Sequence, residues 1–226
     1  MPSSRVSSGA VVGGSIPGEE QISIRPAAAR RWYDRGHTLY VMRAERRHEL
    51  LRKHLLALGE LVPHDFGSVG VFVSPAGAVS EWHFDQYDNI TVQLGGSKRW
   101  DVSSMPGVAH PRGNYGLHEA APPSLAYCSE ALQSLERIDV ESTHILPSGS
   151  ALFVPAGMWH RVESEAGPSI SISITFTFRR RARLDVLLAA LEARLVKDAW
   201  WRGPAAEGED ELVELLRRPA VVEREA

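Results

Sequence analysis

Three side chains able to hold a metal stand out: His83 and Asp85 in EWHFDQYDNITVQLGGSKRW (81–100), and His160 in PAGMWHRVES (155–164). His83 and Asp85 are two residues apart in a stretch of strand character, so both leave the same face of a sheet. Two imidazoles and one carboxylate on one face, with coordination positions left open, form the facial triad that holds non-haem Fe(II) for reaction with O2. A His-x-Asp pair is common by chance among nine histidines in 226 residues, so its surroundings decide what it means.

After the pair, Asn89, Thr91 and Gln93 alternate with Ile90, Val92 and Leu94, followed by Gly95-Gly96 and then Lys98, Trp100 and Val102. Gly-Gly between alternating runs predicts a two-residue hairpin with Gln93 opposite Lys98 and Thr91 opposite Trp100. Asn89, Thr91 and Lys98 then line one surface beside the metal pair. A lysine there is unfavourable unless an anion meets it. The alternative is a surface hairpin with a solvated lysine. The chain has only three lysines among 25 basic residues, so lysine is not its default cation.

The elements that position these residues fall into zones. Residues 1–20 are rich in Ser and Gly and are expected to be disordered. Residues 21–65 predict strands at Gln21–Arg25 and Thr38–Met42, then a helix from Ala44 to Leu61. That helix turns Leu51, Leu55 and Leu58 inward and Glu45, Arg46 and Arg47 outward, with His48 and His54 on its surface. Residues 66–178 hold short strands separated by turns, the pattern of a double-sheet jelly roll. In 170–178 the isoleucines and phenylalanines share one face, and Ser171, Ser173, Thr175 and Thr177 share the other. The apolar face packs on a core, while the polar face lines a site or meets solvent.

Residues 103–140 break the strand pattern with Pro, Gly and His, as a substrate lid or a disordered insert would; His110 and His118 read as exposed loop residues. The run Arg179, Arg180, Arg181 and Arg183 follows the last strand, as a solvated helix start or a contact for phosphate or polypeptide. In 179–226, Leu184, Leu187, Leu188, Leu191 and Leu195 form one stripe of a helix. A shorter amphipathic segment follows at 209–217. Such a stripe needs burial, on the barrel or in a contact with a second chain that Trp200-Trp201 would suit.

Composition fits a soluble enzyme: 43% hydrophobic residues supply a core, and no apolar run reaches the length of a membrane span. The N-terminus lacks a sustained apolar region, which argues against a secretory signal. The single Cys128 fits a reducing cytoplasm, and a net charge of −3 gives no basic field for nucleic acid. No internal repeat and no Walker, Rossmann or nucleophile-elbow pattern is present.

The segments HFDQYDNITVQLGGSKRW, PAGMWHRVES and SISITFTF resemble the JmjC, or cupin-like, Fe(II)/2-oxoglutarate oxygenases over roughly 66–178, most of all the asparaginyl-hydroxylase and bacterial ribosomal-oxygenase types. The resemblance implies a mainly β fold, a double-stranded β-helix with a flanking N-terminal helix and C-terminal helices. It implies that His83, Asp85 and His160 are iron ligands and that Lys98, fifteen residues after the first, pairs with the distal carboxylate of 2-oxoglutarate. Ser80 matches a hydroxyl that bonds the same carboxylate. Asn89 and Thr175 fall where the family places polar groups near iron and co-substrate, and Tyr40 matches a co-substrate tyrosine. Thr91 stands where the asparaginyl hydroxylases carry an aromatic. A second ligand of Asp, not Glu, and the short spacing to lysine depart from the histone demethylases. The implied reaction consumes O2 and 2-oxoglutarate and hydroxylates a C–H bond of a protein or peptide side chain. The alternatives are a small-molecule tailoring hydroxylase and a metal-binding cupin without oxygenase activity. Helices after the last strand imply a homodimer.

Overall fold

The computed structural model describes residues 12–15, 22–62, 64–165 and 170–203. The chain divides into two compact units, 1–180 and 181–226. The first unit opens with β1 (Val12–Ser15), β2 (Ile22–Ile24), α1 (Ala29–Asp34), β3 (Thr38–Val41) and α2 (Glu49–Gly59). It continues through β4 (Phe66–Ser74), β5 (Val79–Phe84), β6 (Asp88–Gly95), β7 (Ser97–Pro106), β8 (Tyr115–Gly116) and α3 (Ser129–Gln133), and closes with β9 (Ser142–Pro147), β10 (Ala151–Val154), β11 (Met158–Ser164) and β12 (Ser171–Arg179). Two antiparallel sheets result: seven strands in the order β10-β6-β12-β4-β3-β1-β2, and five in the order β8-β5-β11-β7-β9. This is the jelly roll expected from the strand pattern. Within the stretch expected to be disordered, Val12–Ser15 pair with β2 and β3; the other residues of 1–20 lie outside the described ones.

Alternation in β12 decides which face of the large sheet is which. Phe176 and Phe178 point outward and are buried with Val69, Leu55 and Ala44, and Leu51 and Leu58 of α2 pack on the same cluster. The leucine spacing of the predicted helix therefore does its work, but the helix is shorter than predicted. Ala44–Arg46 form a separate 3-10 turn, and Glu45 does not face outward. Its carboxylate accepts a hydrogen bond from the Val69 N–H at 2.9 Å, which ties the turn to β4.

The predicted hairpin at Gly95-Gly96 does not form. β6 pairs with β10 and β12, whereas β7 pairs with β9 and β11, so the chain crosses from one sheet to the other there. Gly96 sits at φ +62°, and a Cβ on it would lie 3.0 Å from Ser171 Cα and 3.1 Å from Ile170 O. Only glycine passes this close to a neighbouring backbone in that conformation. The crossing sets Thr91 and Gln93 against the strand carrying Lys98 and Trp100 across the interior, where the hairpin would have laid them side by side.

Residues 107–140 are more ordered than their composition indicates. β8 pairs with β5, and Tyr115, Leu125 and Leu132 form a buried cluster with Phe84 and Trp159 on the outside of the small sheet. His110 and His118 are exposed. The arginine run is not simply a helix start: Arg179 pairs with Asp65, and Arg180 pairs with the buried Asp88. In the second unit, α4 (Arg183–Leu195) and α5 (Ala199–Arg202) are described, and Leu184, Leu187, Leu188 and Leu191 are exposed. The amphipathic segment 209–217 lies outside the described residues. Among the described residues no helix is long and apolar enough to cross a membrane.

Leu55 is the residue of α2 buried deepest against the outer face of the large sheet. Leu55→Ala is expected to lower stability by about 2–5 kcal/mol in urea unfolding, with the slope unchanged.

Candidate metal centre

β5 and β11 run side by side and bring the first and last residues of the triad opposite each other: His83 faces His160, and three residues earlier Ser80 faces Val162. Between these pairs one residue of β11, Arg161, opposes two of β5, Glu81 and Trp82, a β-bulge. The bulge matters because Ser80 and His83 would otherwise leave opposite faces; with it, both point inward. The histidine rings lie 4.2 Å apart between centroids, and His160 Nε2 is 3.8 Å from Asp85 Oδ2. One ligand atom from each of His83, Asp85 and His160 falls within 4.8 Å of the others.

The imidazoles are oriented for coordination. His83 Nδ1 lies 2.6 Å from Glu81 O, and His160 Nδ1 lies 2.9 Å from Met158 O. A carbonyl oxygen only accepts, so Nδ1 carries the proton in both rings and each Nε2 offers a lone pair. Burial pushes His160 down to about 4, with His83 adding to the effect against the opposing pull of Asp85 and Met158 O. The ring is therefore neutral at pH 7, the form that binds a cation. Its face stacks on Trp100, with centroids 5.5 Å apart and planes at 21°.

Asp85 is held by Asn89, whose Nδ2 donates to Oδ2 at 2.6 Å, and Thr177 Oγ1 donates in turn to Asn89 Oδ1 at 2.7 Å. The turn before β11 closes the arrangement. Gly157 N–H donates to Asp85 O at 2.8 Å, and Gly107 N–H donates to Gly157 O at 2.8 Å. Gly157 sits at φ +83°, where a Cβ would lie 2.0 Å from Val108 O, so glycine is required.

Behind the triad the interior is polar. Thr91 and Thr175 share a hydrogen bond of 2.9 Å, and Gln93 Nε2 donates to Ser171 Oγ at 2.9 Å. The polar row of β12 therefore faces the interior, not solvent. Lys98 is 5% exposed; its Nζ donates to Ser173 Oγ at 3.0 Å and lies 5.4 Å from the centre of the Phe72 ring. Among the described residues no carboxylate pairs with it, and burial alone pushes it down to about 8. Tyr40 stacks on the other ring of this group, Phe72, at 4.4 Å and lies over Gly70. Burial raises its phenol, with the Asp85 and Glu45 carboxylates adding to the effect.

The fold thus gathers His83, Asp85, His160 and Asn89 at one level, and Thr91, Thr175, Lys98 and Tyr40 around the interior behind them. Ser80 joins them through the bulge. Ser173 and Thr177 are read in the sequence only as part of a polar face that lines a site or meets solvent, and sequence reasoning missed Phe72 and Trp100 as parts of the site. The inward parity of β12 flagged the first two, whereas Phe72 and Trp100 look like ordinary core aromatics until their neighbours are known.

A jelly roll with two histidines and an aspartate inside, backed by an unpaired buried cation, defines a class of metal-dependent cupin-like proteins. The JmjC domain family model matches residues 56–184, and the chain belongs to that family. A relative described as uncharacterized protein YxbC, from Bacillus subtilis (strain 168), is 28% identical over 198 residues, covering 81% of this chain and 56% of the relative. The crystal structure of ycfD from Escherichia coli matches with TM-score 0.56 at 16% identity, over 92% of this chain and 56% of that one. The same ribosomal oxygenase in complex with cobalt and 2-oxoglutarate matches with TM-score 0.50 at 18% identity, over 81% and 48%. The chain spans about half the length of these relatives.

Two outcomes follow from the geometry. Asn89→Ala frees Asp85 Oδ2 from its donor and is expected to weaken Fe(II) or Co(II) affinity about 10–100-fold in a competition titration. The lysine bears on stability. A cation whose folded value is depressed is least favourable when charged, so ligand-free stability should rise with pH from about 8 towards 10.5. The displacement from 10.5 to about 8 corresponds to about 3 kcal/mol. Lys98→Met is expected to stabilise the ligand-free protein at pH 7 by up to about that amount and to abolish the rise in urea or thermal unfolding.

Proposed function

We propose that this protein is an Fe(II)- and 2-oxoglutarate-dependent hydroxylase acting on a protein or peptide side chain. The observation that carries the reading is Lys98: a buried ammonium group, partnered by one hydroxyl and one aromatic face, on the inner wall behind a two-histidine, one-carboxylate triad. A simple metal-binding cupin has no use for such a cation, whereas an anionic co-substrate reaching back from the metal would neutralise it.

The residues fit the metal. Each Nδ1 is committed to a backbone carbonyl, which leaves the Nε2 atoms for the metal, and Asp85 supplies the negative oxygen of the set. When bound, Fe(II) with O2 and 2-oxoglutarate supplies the oxidising power: one oxygen atom enters the substrate, the other enters succinate, and CO2 leaves. The chain's own contribution is positional. Asn89, itself held by Thr177, fixes the carboxylate of Asp85. Asp85 fills the third protein position, which favours hydroxylation over halogenation. Lys98, with Ser173, Tyr40, Ser80 and the Thr91–Thr175 pair nearby, receives the co-substrate. Phe72 and Trp100 make that pocket dry, which strengthens the contact between charges.

A polypeptide substrate is supported by the fold shared with a ribosomal oxygenase. A cytoplasmic setting is supported by the single cysteine. The exposed leucine stripe of α4 supports a homodimer; light scattering should give twice the monomer mass for the full chain and the monomer mass for a chain ending at Arg181.

Succinate release from 2-oxoglutarate, measured against a panel of peptides, ribosomal proteins and free amino acids, tests the reading. Asp85→Ala is expected to abolish turnover, and Lys98→Ala to weaken 2-oxoglutarate binding by about 2–5 kcal/mol. Full turnover by Asp85→Ala, or an unchanged Michaelis constant in Lys98→Ala, sinks the assignment. Stimulation by free amino acids alone would move the substrate to the small-molecule class.

A further inference from the structure

Four buried side-chain polar atoms among the described residues have no hydrogen-bond partner: Gln93 Oε1, Trp100 Nε1, Tyr115 Oη and Ser164 Oγ. Leaving such an atom unpaired is unfavourable, so each marks a place where the protein meets something else or bears a penalty. Tyr115 lies in the cluster outside the small sheet. Gln93 Oε1 is an acceptor, its amide nitrogen being committed to Gly95 O and Ser171 Oγ, and would repel an anion. Ser164 lies opposite Lys98, at the level furthest from the metal. Trp100 differs from all three. Its indole nitrogen only donates, it is 7% exposed, and it stands between the two ends of the site.

The strand register fixes that position. On the inner face of the small sheet, Lys98 lies opposite Ser164, Trp100 opposite Val162, and Val102 opposite His160. Trp100 is thus one level from the lysine and one level from the metal ligand, on whose ring it stacks. A dicarboxylate bound at the metal by one end and by Lys98 at the other passes directly beside it. We infer that the Trp100 indole N–H is a further donor to the distal carboxylate of 2-oxoglutarate, which makes Trp100 a co-substrate specificity residue; this rests on the reading of the site as a 2-oxoglutarate pocket. The same ring, by stacking on His160, ties occupancy of the carboxylate pocket to the orientation of a metal ligand.

The test compares 2-oxoglutarate with 2-oxovalerate, which has the same five-carbon keto acid but ends in a methyl group. Calorimetric titration of the anaerobic Fe(II) protein measures both. Trp100→Phe keeps an aromatic ring at this position and removes the donor, and the comparison of the two keto acids separates the lost donor from the lost ring volume. The variant is expected to lower affinity for 2-oxoglutarate about tenfold or more while leaving 2-oxovalerate within about twofold. An unchanged affinity for 2-oxoglutarate, or equal losses for both ligands, overturns the assignment. A measurement on the unaltered chain covers the case in which the variant does not fold. With Zn(II) in place of iron, one of the six indole N–H resonances should move on adding 2-oxoglutarate and not on adding 2-oxovalerate, and its failure to do so also counts against the donor. If the wild-type protein binds neither keto acid, the reading of the site itself fails; if it binds 2-oxoglutarate but Trp100 proves indifferent, only this inference falls.

Discussion

An ammonium group buried between two sheets without a carboxylate beside it is the constraint on which the rest of this molecule depends. The site of Lys98 exists because β6 and β7 part company at Gly95-Gly96 and enter different sheets. Had they closed as a hairpin, the lysine would have stood at a sheet surface with water for a partner. Placed inside, it needs neighbours that tolerate a cation without cancelling it, and a serine hydroxyl and a phenylalanine face meet that need. The polar rows of β6 and β12 bond to one another around it, Asn89 with Thr177, Thr91 with Thr175 and Gln93 with Ser171, with Gln93 Oε1 left over. A polar interior in a small barrel is stable only when so connected.

Charge is managed differently at the two ends of this interior. At the metal end, each histidine is fixed by its own strand's carbonyl, and the one carboxylate is steadied by an amide, not an arginine. At the far end a positive charge waits. The arginines next to site residues in the chain are already paired: Arg99 with Asp101, and Arg161 with Glu81 and Glu163. Lys98 is therefore the cation of this interior that no carboxylate meets among the described residues, and the fall of its pKa to about 8 reflects burial without compensation.

Much of this was legible in the sequence, for identifiable reasons. The triad, Lys98 and the polar face of β12 follow from residue type and a period of two, which survive whatever the sheets do. The predicted pairing of β6 with β7 failed because local turn chemistry cannot distinguish a hairpin from a crossing between sheets; both call for Gly95-Gly96. Ser80 was matched to the site although its spacing from His83 has the wrong parity for a regular strand, and the bulge in β5 removes the discrepancy. Trp100 stayed hidden because a buried tryptophan is ordinary, and only the absence of a partner for its nitrogen sets it apart. Glu45 was misread for a related reason: a charged residue in an apparent helix looks solvated until the Val69 amide beside it is seen.

Phe84 and Trp159 each sit immediately beside a histidine of the triad in the chain, and both are buried in the cluster built by residues 107–138. The insert therefore forms the back wall of the centre, with His83 and His160 standing on the other side of the strands it braces. A loop of this kind is not an interchangeable attachment. Grafting a different one from a related protein would remove the support under His83 and His160 together. Variation tolerated over time should accordingly concentrate at the insert's exposed tips and spare its aromatic underside.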